Sequence, residues 1–237
     1  MTMIRFREHF SLTVSGPSGI GKSSLILKLL QNANKCFTKE PTCVYICYGV
    51  ESGFYQEFTK LPYKIILNKG VPANEDNEKN SPSKSVLKVN DLLPNSLVIF
   101  DDLQSEAEKI CDYFTKYRHH LSLSIIYLTQ NIYLKQNRTI TLNSQYIILF
   151  TTFRDKTQIQ TLANQIDPGQ TRWIVKSFKD ISRQKYSYIL FDFTPDSHDS
   201  VRVRDSVLPL ESHYFVNPLN YDYFDLRPYI REVSRTI

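Results

Sequence analysis

Short apolar runs alternate with amphipathic stretches along most of the chain, and the alternation sets the expected elements. Phe10–Val14, Thr42–Cys47, Tyr63–Leu67, Ser96–Phe100, Ser124–Leu128, Gln145–Phe150 and Tyr186–Phe193 are rich in β-branched and aromatic residues. Runs of this length bounded by polar turns predict buried strands. Between them, Ser23–Gln31 predicts a leucine-rich helix. A second helix is expected where Ala107, Ile110, Cys111, Phe114 and Tyr117 fall on one face, and a third over Asp155–Gln165 from Ile159, Leu162, Ala163 and Ile166. Lys69–Ser85 has no apolar period and predicts a solvated loop. Strands separated by helices imply a mainly parallel sheet covered on both faces.

The length of 237 residues suits one α/β domain, placed here at residues 1–209, with 210–237 as a short C-terminal extension. With 41% hydrophobic and 22% charged residues, the chain has the material for a core. No apolar run approaches the roughly 20 residues that span a bilayer, and charges interrupt the N-terminus where a signal peptide needs an apolar segment. The expectation is an intracellular protein without a membrane partner. Four cysteines without C-x-x-C or zinc-like spacing agree with a reducing compartment, and Cys43 and Cys47 read as buried thiols. A net charge of +5 is compatible with a polyanionic partner without demonstrating one.

Residues 16–23 read Gly-Pro-Ser-Gly-Ile-Gly-Lys-Ser and hold three of the seven glycines. The spacing G-x-x-x-x-G-K-S, between an expected strand and an expected helix, is that of a phosphate-binding loop. Gly16, Pro17, Ser18, Gly19, Ile20 and Gly21 supply backbone N–H groups aimed at one anion. The helix N-terminus adds the positive end of its dipole. Lys22 is expected at the β- and γ-phosphates, Ser23 on Mg²⁺ and Ser24 at the α-phosphate.

Ligands in an open parallel sheet gather beyond the carboxyl ends of the strands, and two further strand ends are polar. Asp101-Asp102 follows an apolar run; Asp101 is assigned to Mg²⁺ and Asp102 to polarising the attacking water. Thr129-Gln130-Asn131 closes another strand, and Gln130, with Asn131 second, is the candidate to contact the γ-phosphate or lytic water. Arg138 and Arg154 are candidate fingers for a neighbouring subunit's nucleotide, since a guanidinium meets charge developing on a transferred phosphoryl group. Asn68-Lys69-Gly70-Val71 begins like a guanine-reading N-K-x-D motif but has Val71 in place of the carboxylate, which leaves ATP as the expected nucleotide.

The segments GPSGIGKSS, LVIFDDL, IIYLTQN, RTITLNSQYIILFTTFRDKTQIQTLANQ and YSYILFDFTPDS resemble the packaging ATPases of Polinton/Maverick elements and adintoviruses. These are relatives of the poxvirus packaging ATPase within the FtsK–HerA superfamily. The resemblance runs from Phe10 to Pro209 and departs where Thr151-Thr152-Phe153 precede Arg154. It implies a P-loop NTPase of the additional-strand type. The activity it implies is that of a homo-oligomeric ring, hydrolysing ATP to thread double-stranded DNA, without sequence specificity, into a capsid through a capsid or portal partner. Other readings are a superfamily 3 replicative helicase, a nucleoside kinase and a scaffold that binds ATP without turnover. The helicase usually has its two nucleotide motifs closer together than the 79 positions from Lys22 to Asp101. The kinase would want an arginine-rich lid. The carboxylate pair argues against the scaffold.

Overall fold

A computed structural model describes residues 5–73, 87–152, 156–197 and 201–208. All seven expected strands are present within one or two residues of their expected bounds: β1 Ser11–Ser15, β2 Cys43–Tyr48, β3 Lys64–Lys69, β4 Leu97–Asp101, β5 Ser124–Thr129, β6 Tyr146–Phe150 and β7 Tyr188–Asp192. An eighth, β8 Val203–Arg204, lies where no strand is expected from the sequence. They form one sheet in the order β3-β2-β4-β5-β1-β6-β7-β8. The pairs from β3 through β6 are parallel, and the β6–β7 and β7–β8 pairs at one edge are antiparallel. β5 therefore sits between β1 and β4, the strands that end in the glycine loop and in Asp101.

Side-chain alternation divides the core by face. Leu12 and Val14 of β1, Ile99 of β4 and Ile148 of β6 point to one face, where α1 (Lys22–Gln31), α2 (Ala33–Cys36) and α3 (Tyr55–Phe58) cover them. The other face carries two separate clusters. Val98, Phe100, Ile125 and Tyr127 pack under α4 (Ala107–Asp112), its π-helical continuation Tyr113–Tyr117 and α6 (Arg138–Leu142), with α5 (Arg118–His120) at the end. Ile147, Leu149, Ile189 and Phe191 pack under α7 (Thr157–Ile166) and α8 (Thr171–Ile181).

Between those two clusters β1 presents Ser11, Thr13 and Ser15, all fully buried. Burial of hydroxyls requires partners, and each has one. Thr13 Oγ1 lies 2.7 Å from Ser144 Oγ, Ser11 Oγ donates to the Asn143 carbonyl at 2.9 Å, and Ser15 Oγ donates to Gln158 Oε1 at 3.2 Å. Arg118 in turn donates to Ser11 Oγ at 3.1 Å.

Cys43 and Cys47 are buried thiols, as expected, and burial raises the pKa of both. Of the expected solvated loop, residues 74–85 lie outside the described residues, while a bridge between Ala73 and Lys88 pins its two ends together. The extension 210–237 also lies outside them. Among the described residues no helix is long and apolar enough to cross a membrane.

Arg204 is fully buried on β8, and among the described residues none of its three guanidinium nitrogens has a hydrogen-bond partner. A buried charge without donors satisfied costs more than an apolar side chain of similar volume. Arg204→Met should therefore leave the fold intact and raise stability by about 1–4 kcal/mol, read as a higher urea midpoint at unchanged m-value. A lower midpoint would mean that the guanidinium has a compensating partner.

Candidate nucleotide site

The glycine loop leaves β1 at Gly16, whose N–H donates to the Thr129 carbonyl at 3.1 Å and ties the loop to the end of β5. A Cβ at Gly16 would press on Phe150 Cβ, so glycine is required for the loop to lie against β6. Gly21, at φ 101°, is the N-cap of α1, in the left-handed region that glycine enters freely. No side chain caps that helix, so the N–H groups of its first turn are open to an anion. Pro17 and Ser18 are exposed, Ile20 is half-buried and Ser24 is exposed on the first turn of α1.

Lys22 folds over this loop and donates to the carbonyls of Gly16 at 2.7 Å and Pro17 at 3.1 Å. Burial lowers its pKa, and the nearby Asp101 and Asp102 oppose that shift. Its ammonium is thus held within the loop by two carbonyls, an arrangement that a phosphate can replace.

Across β5, Asp101 is the last residue of β4. Its Oδ2 accepts from Ser23 Oγ at 2.9 Å and from Tyr55 Oη at 3.2 Å. Burial raises the Asp101 pKa above the usual carboxylate range; the hydrogen bonds from Ser23 and Tyr55, and then the Lys22 charge, work against the rise. A hydroxyl and a carboxylate at this distance form a hard-oxygen pair suited to Mg²⁺, which takes few protein ligands and completes its octahedron with waters and phosphate oxygens. Among the described residues no cluster of three or more His, Cys, Asp or Glu could hold a metal by itself. Ser23 and Asp101 therefore fit Mg²⁺ delivered with a polyphosphate.

Asp102 is exposed at φ 55°, in the left-handed region that Asn, Asp and His enter more often than other non-glycine residues. Its conformation depends on Gly49 at the end of β2: the Gly49 N–H donates to the Asp101 carbonyl at 3.1 Å, and a Cβ at Gly49 would collide with the Asp102 carbonyl oxygen. Gln130 is exposed one residue beyond β5, and its Nε2 donates to Ser18 Oγ at 3.3 Å. Thr129 beneath it accepts from Gln104 at 3.2 Å and from Asn137 at 2.9 Å. Gln130 thus stands on a braced strand end.

Lys22, Ser23, Asp101, Asp102 and Gln130 all line one open cleft of about 360 Å³. Gly49 and Tyr55 were not foreseen; neither belongs to a recurrent motif, and their roles follow from strand adjacency. Arg138 is exposed at the start of α6 and does not line this cleft. Arg154 lies outside the described residues. Asn68 turns its amide to the Gly70 carbonyl at 2.9 Å on the edge strand β3, and Val71 is buried, so that segment has a structural role there.

An anion-binding loop after β1, a paired hydroxyl and carboxylate across one intervening strand, and helices on both faces define the P-loop NTPase fold in its additional-strand form. No protein-family profile matches the chain, and no curated protein matches it. Among solved structures, it is similar to the DNA-packaging ATPase B204 of Sulfolobus turreted icosahedral virus. The TM-score is 0.49 at 15% identity, over 84% of this chain and 97% of that one. It is also similar to the genome packaging NTPase B204 of Sulfolobus turreted icosahedral virus 2 in complex with ATP-gammaS, with TM-score 0.48 at 14% identity over 84% and 97%. The cytoplasmic domain of the type VII secretion ATPase EccC of Thermomonospora curvata gives TM-score 0.49 at 11% identity, over 94% of this chain and 27% of that one. At these identities and scores the likenesses say nothing about activity.

Two outcomes are expected. Gly49→Ala should cost about 1–3 kcal/mol through overpacking against the Asp102 carbonyl, measured by denaturant unfolding. Asp101→Asn should relieve a buried charge. Because the folded-state pKa of Asp101 is raised, its ionisation opposes folding as pH climbs from the unfolded value near 3.9 through the folded one. The stability of Asp101→Asn relative to the parent should therefore rise across that window and then level off. A difference independent of pH would contradict the buried-carboxylate account.

Proposed function

We propose that the chain is an ATP-hydrolysing, Mg²⁺-dependent motor that translocates double-stranded DNA into a viral or virus-like capsid. The observation that carries the hydrolytic part is the convergence of Lys22, Ser23, Asp101, Asp102 and Gln130 on one cleft. In that cleft the loop N–H groups and Lys22 hold the phosphates, and Ser23 and Asp101 would hold Mg²⁺, which would neutralise charge on the transferred phosphoryl group. Asp102 lies next to Asp101 on the same strand exit and accepts the proton of the attacking water. Gln130, already within reach of the loop at Ser18, contacts the γ-phosphate and reports its loss through β5.

The motor part rests on the sequence resemblance and on charge. The net charge of +5 suits contact with a phosphate backbone, which binds without reading bases. A ring of identical subunits would bring Arg138, exposed and outside its own cleft, to the cleft of a neighbour; Arg154 is the alternative finger. The capsid or portal partner and an intracellular assembly site belong to the same reading.

Lys22→Ala should abolish nucleotide binding or turnover. Asp102→Asn should bind ATP normally and lose about 100-fold or more in turnover, the scale of a lost general base; asparagine also tolerates the left-handed backbone at this position. Turnover near the parent level would remove Asp102 from the mechanism. Duplex DNA should stimulate ATP hydrolysis without separating the strands of a fork, and fork separation would favour a helicase. Mixing Arg138→Ala with Lys22→Ala subunits should restore part of the activity if the finger acts in trans, and no recovery would count against Arg138.

A further inference from the structure

Tyr186 is 66% exposed, second among the described large hydrophobic side chains only to Leu142. It lies against the phosphate loop. A methyl placed on Gly21 would stand 3.5 Å from Tyr186 Cδ1 and 4.0 Å from Phe150 Cε1. Tyr186 has φ 60°, in the left-handed region, which a bulky residue enters only where its surroundings hold it. The next residue supplies the hold: the Ser187 carbonyl accepts from Thr151 N at 2.9 Å and Thr151 Oγ1 at 3.1 Å, and the two hydroxyls lie 2.6 Å apart. Behind it, Tyr188 packs on Phe150 with ring centroids 5.4 Å apart. An aromatic ring is thus fixed at the rim of the loop with most of its surface open to water.

Sheet order gives that ring a direction. Asp101, Asp102 and Gln130, which mark the γ-phosphate end, lie at the ends of β4 and β5, on one side of β1. Tyr186 precedes β7, on the other side of β1. A triphosphate with its γ-phosphate beside the carboxylates crosses the end of β1 past Gly21 and the first turn of α1. Its nucleoside then emerges over β6 and β7.

We propose that Tyr186 is the stacking platform for the nucleotide base, which makes the ligand of this site a nucleoside triphosphate held at both ends; this rests on the phosphate-site reading above. Stacking accepts any base because each has a π-face, so the platform supplies affinity for a nucleoside over bare polyphosphate without choosing among bases. The phenol hydroxyl is not needed, and the ring is.

Equilibrium binding of Mg²⁺–ATPγS and of Mg²⁺–tripolyphosphate to the full chain separates the two ends of the site. Wild type should bind the nucleotide at least about tenfold more tightly than tripolyphosphate. Tyr186→Ala should lose about 10- to 100-fold for the nucleotide, the range of one base stack, and bind tripolyphosphate within twofold of wild type. Tyr186→Phe should match wild type for both. An unchanged nucleotide affinity in Tyr186→Ala, or equal losses for both ligands, would overturn the platform. Loss of both ligands in Tyr186→Phe would do so as well. Failure of wild type to bind tripolyphosphate is a different result: it would sink the phosphate site, and the platform with it.

Discussion

The contact from Ser23 to Asp101 organises the molecule. It spans two strands that are not neighbours, since β5 runs between them, and it can form only if β4, β5 and β1 are all in register. Asp101 is held there against its own desolvation, which is the largest influence on its pKa. The hydroxyls of Ser23 and Tyr55 and the charge of Lys22 offset part of that cost. A carboxylate kept partly dehydrated, beside an ammonium satisfied only by loop carbonyls, is electrostatically incomplete. A metal-bound polyphosphate, the ligand proposed for this cleft, would meet the carboxylate with its cation and the ammonium with its phosphates.

The surrounding structure serves to keep these groups incomplete and close. Gly49 lets the Asp102 backbone approach β2, and Tyr55 reaches in from α3. Thr129 receives Gly16 on its carbonyl and Gln104 and Asn137 on its hydroxyl. The outer end of the cleft is thereby built from the β2–α3 connection, and the inner end from the strand that also carries Gln130. Movement of any one strand end would be felt at the others, because each is bonded to its neighbour through a short directional contact rather than through packing alone.

Much of this was legible beforehand, for specific reasons. Buried parallel strands are nearly continuous apolar runs, so SLVIF and SIIYL could be placed to within a residue or two. The loop was legible because its glycines, lysine and serine are contiguous. α8 was not seen, although Ile174, Phe178 and Ile181 are spaced for a helix, because polar and charged residues surround them and no strong cap marks its start. β8 has two residues, one of them a buried arginine, and gives no strand signal at all. Tyr55 and Gly49 act on Asp101 and Asp102 from about fifty positions away; only the β2–β4 pairing brings them there. A residue that acts on another subunit, as proposed for Arg138, leaves no trace in the geometry of one chain.

The serine and threonine seam along β1 has a mechanical meaning. Interlocked apolar side chains resist compression but slide with little penalty, whereas hydrogen bonds in a dry interior break discretely. β1 is joined on this face to Ser144 after α6 and to Gln158 on α7 by such bonds, at 2.7 Å and 3.2 Å. The strand that feeds the phosphate loop is therefore keyed to the two helical layers on either side of it, like a shaft in its hub. Valine in those three positions would leave Arg118, Ser144 and Gln158 without the bonds they make to β1 in a dry interior, so the seam ties the strand to both layers by contacts that apolar packing could not replace.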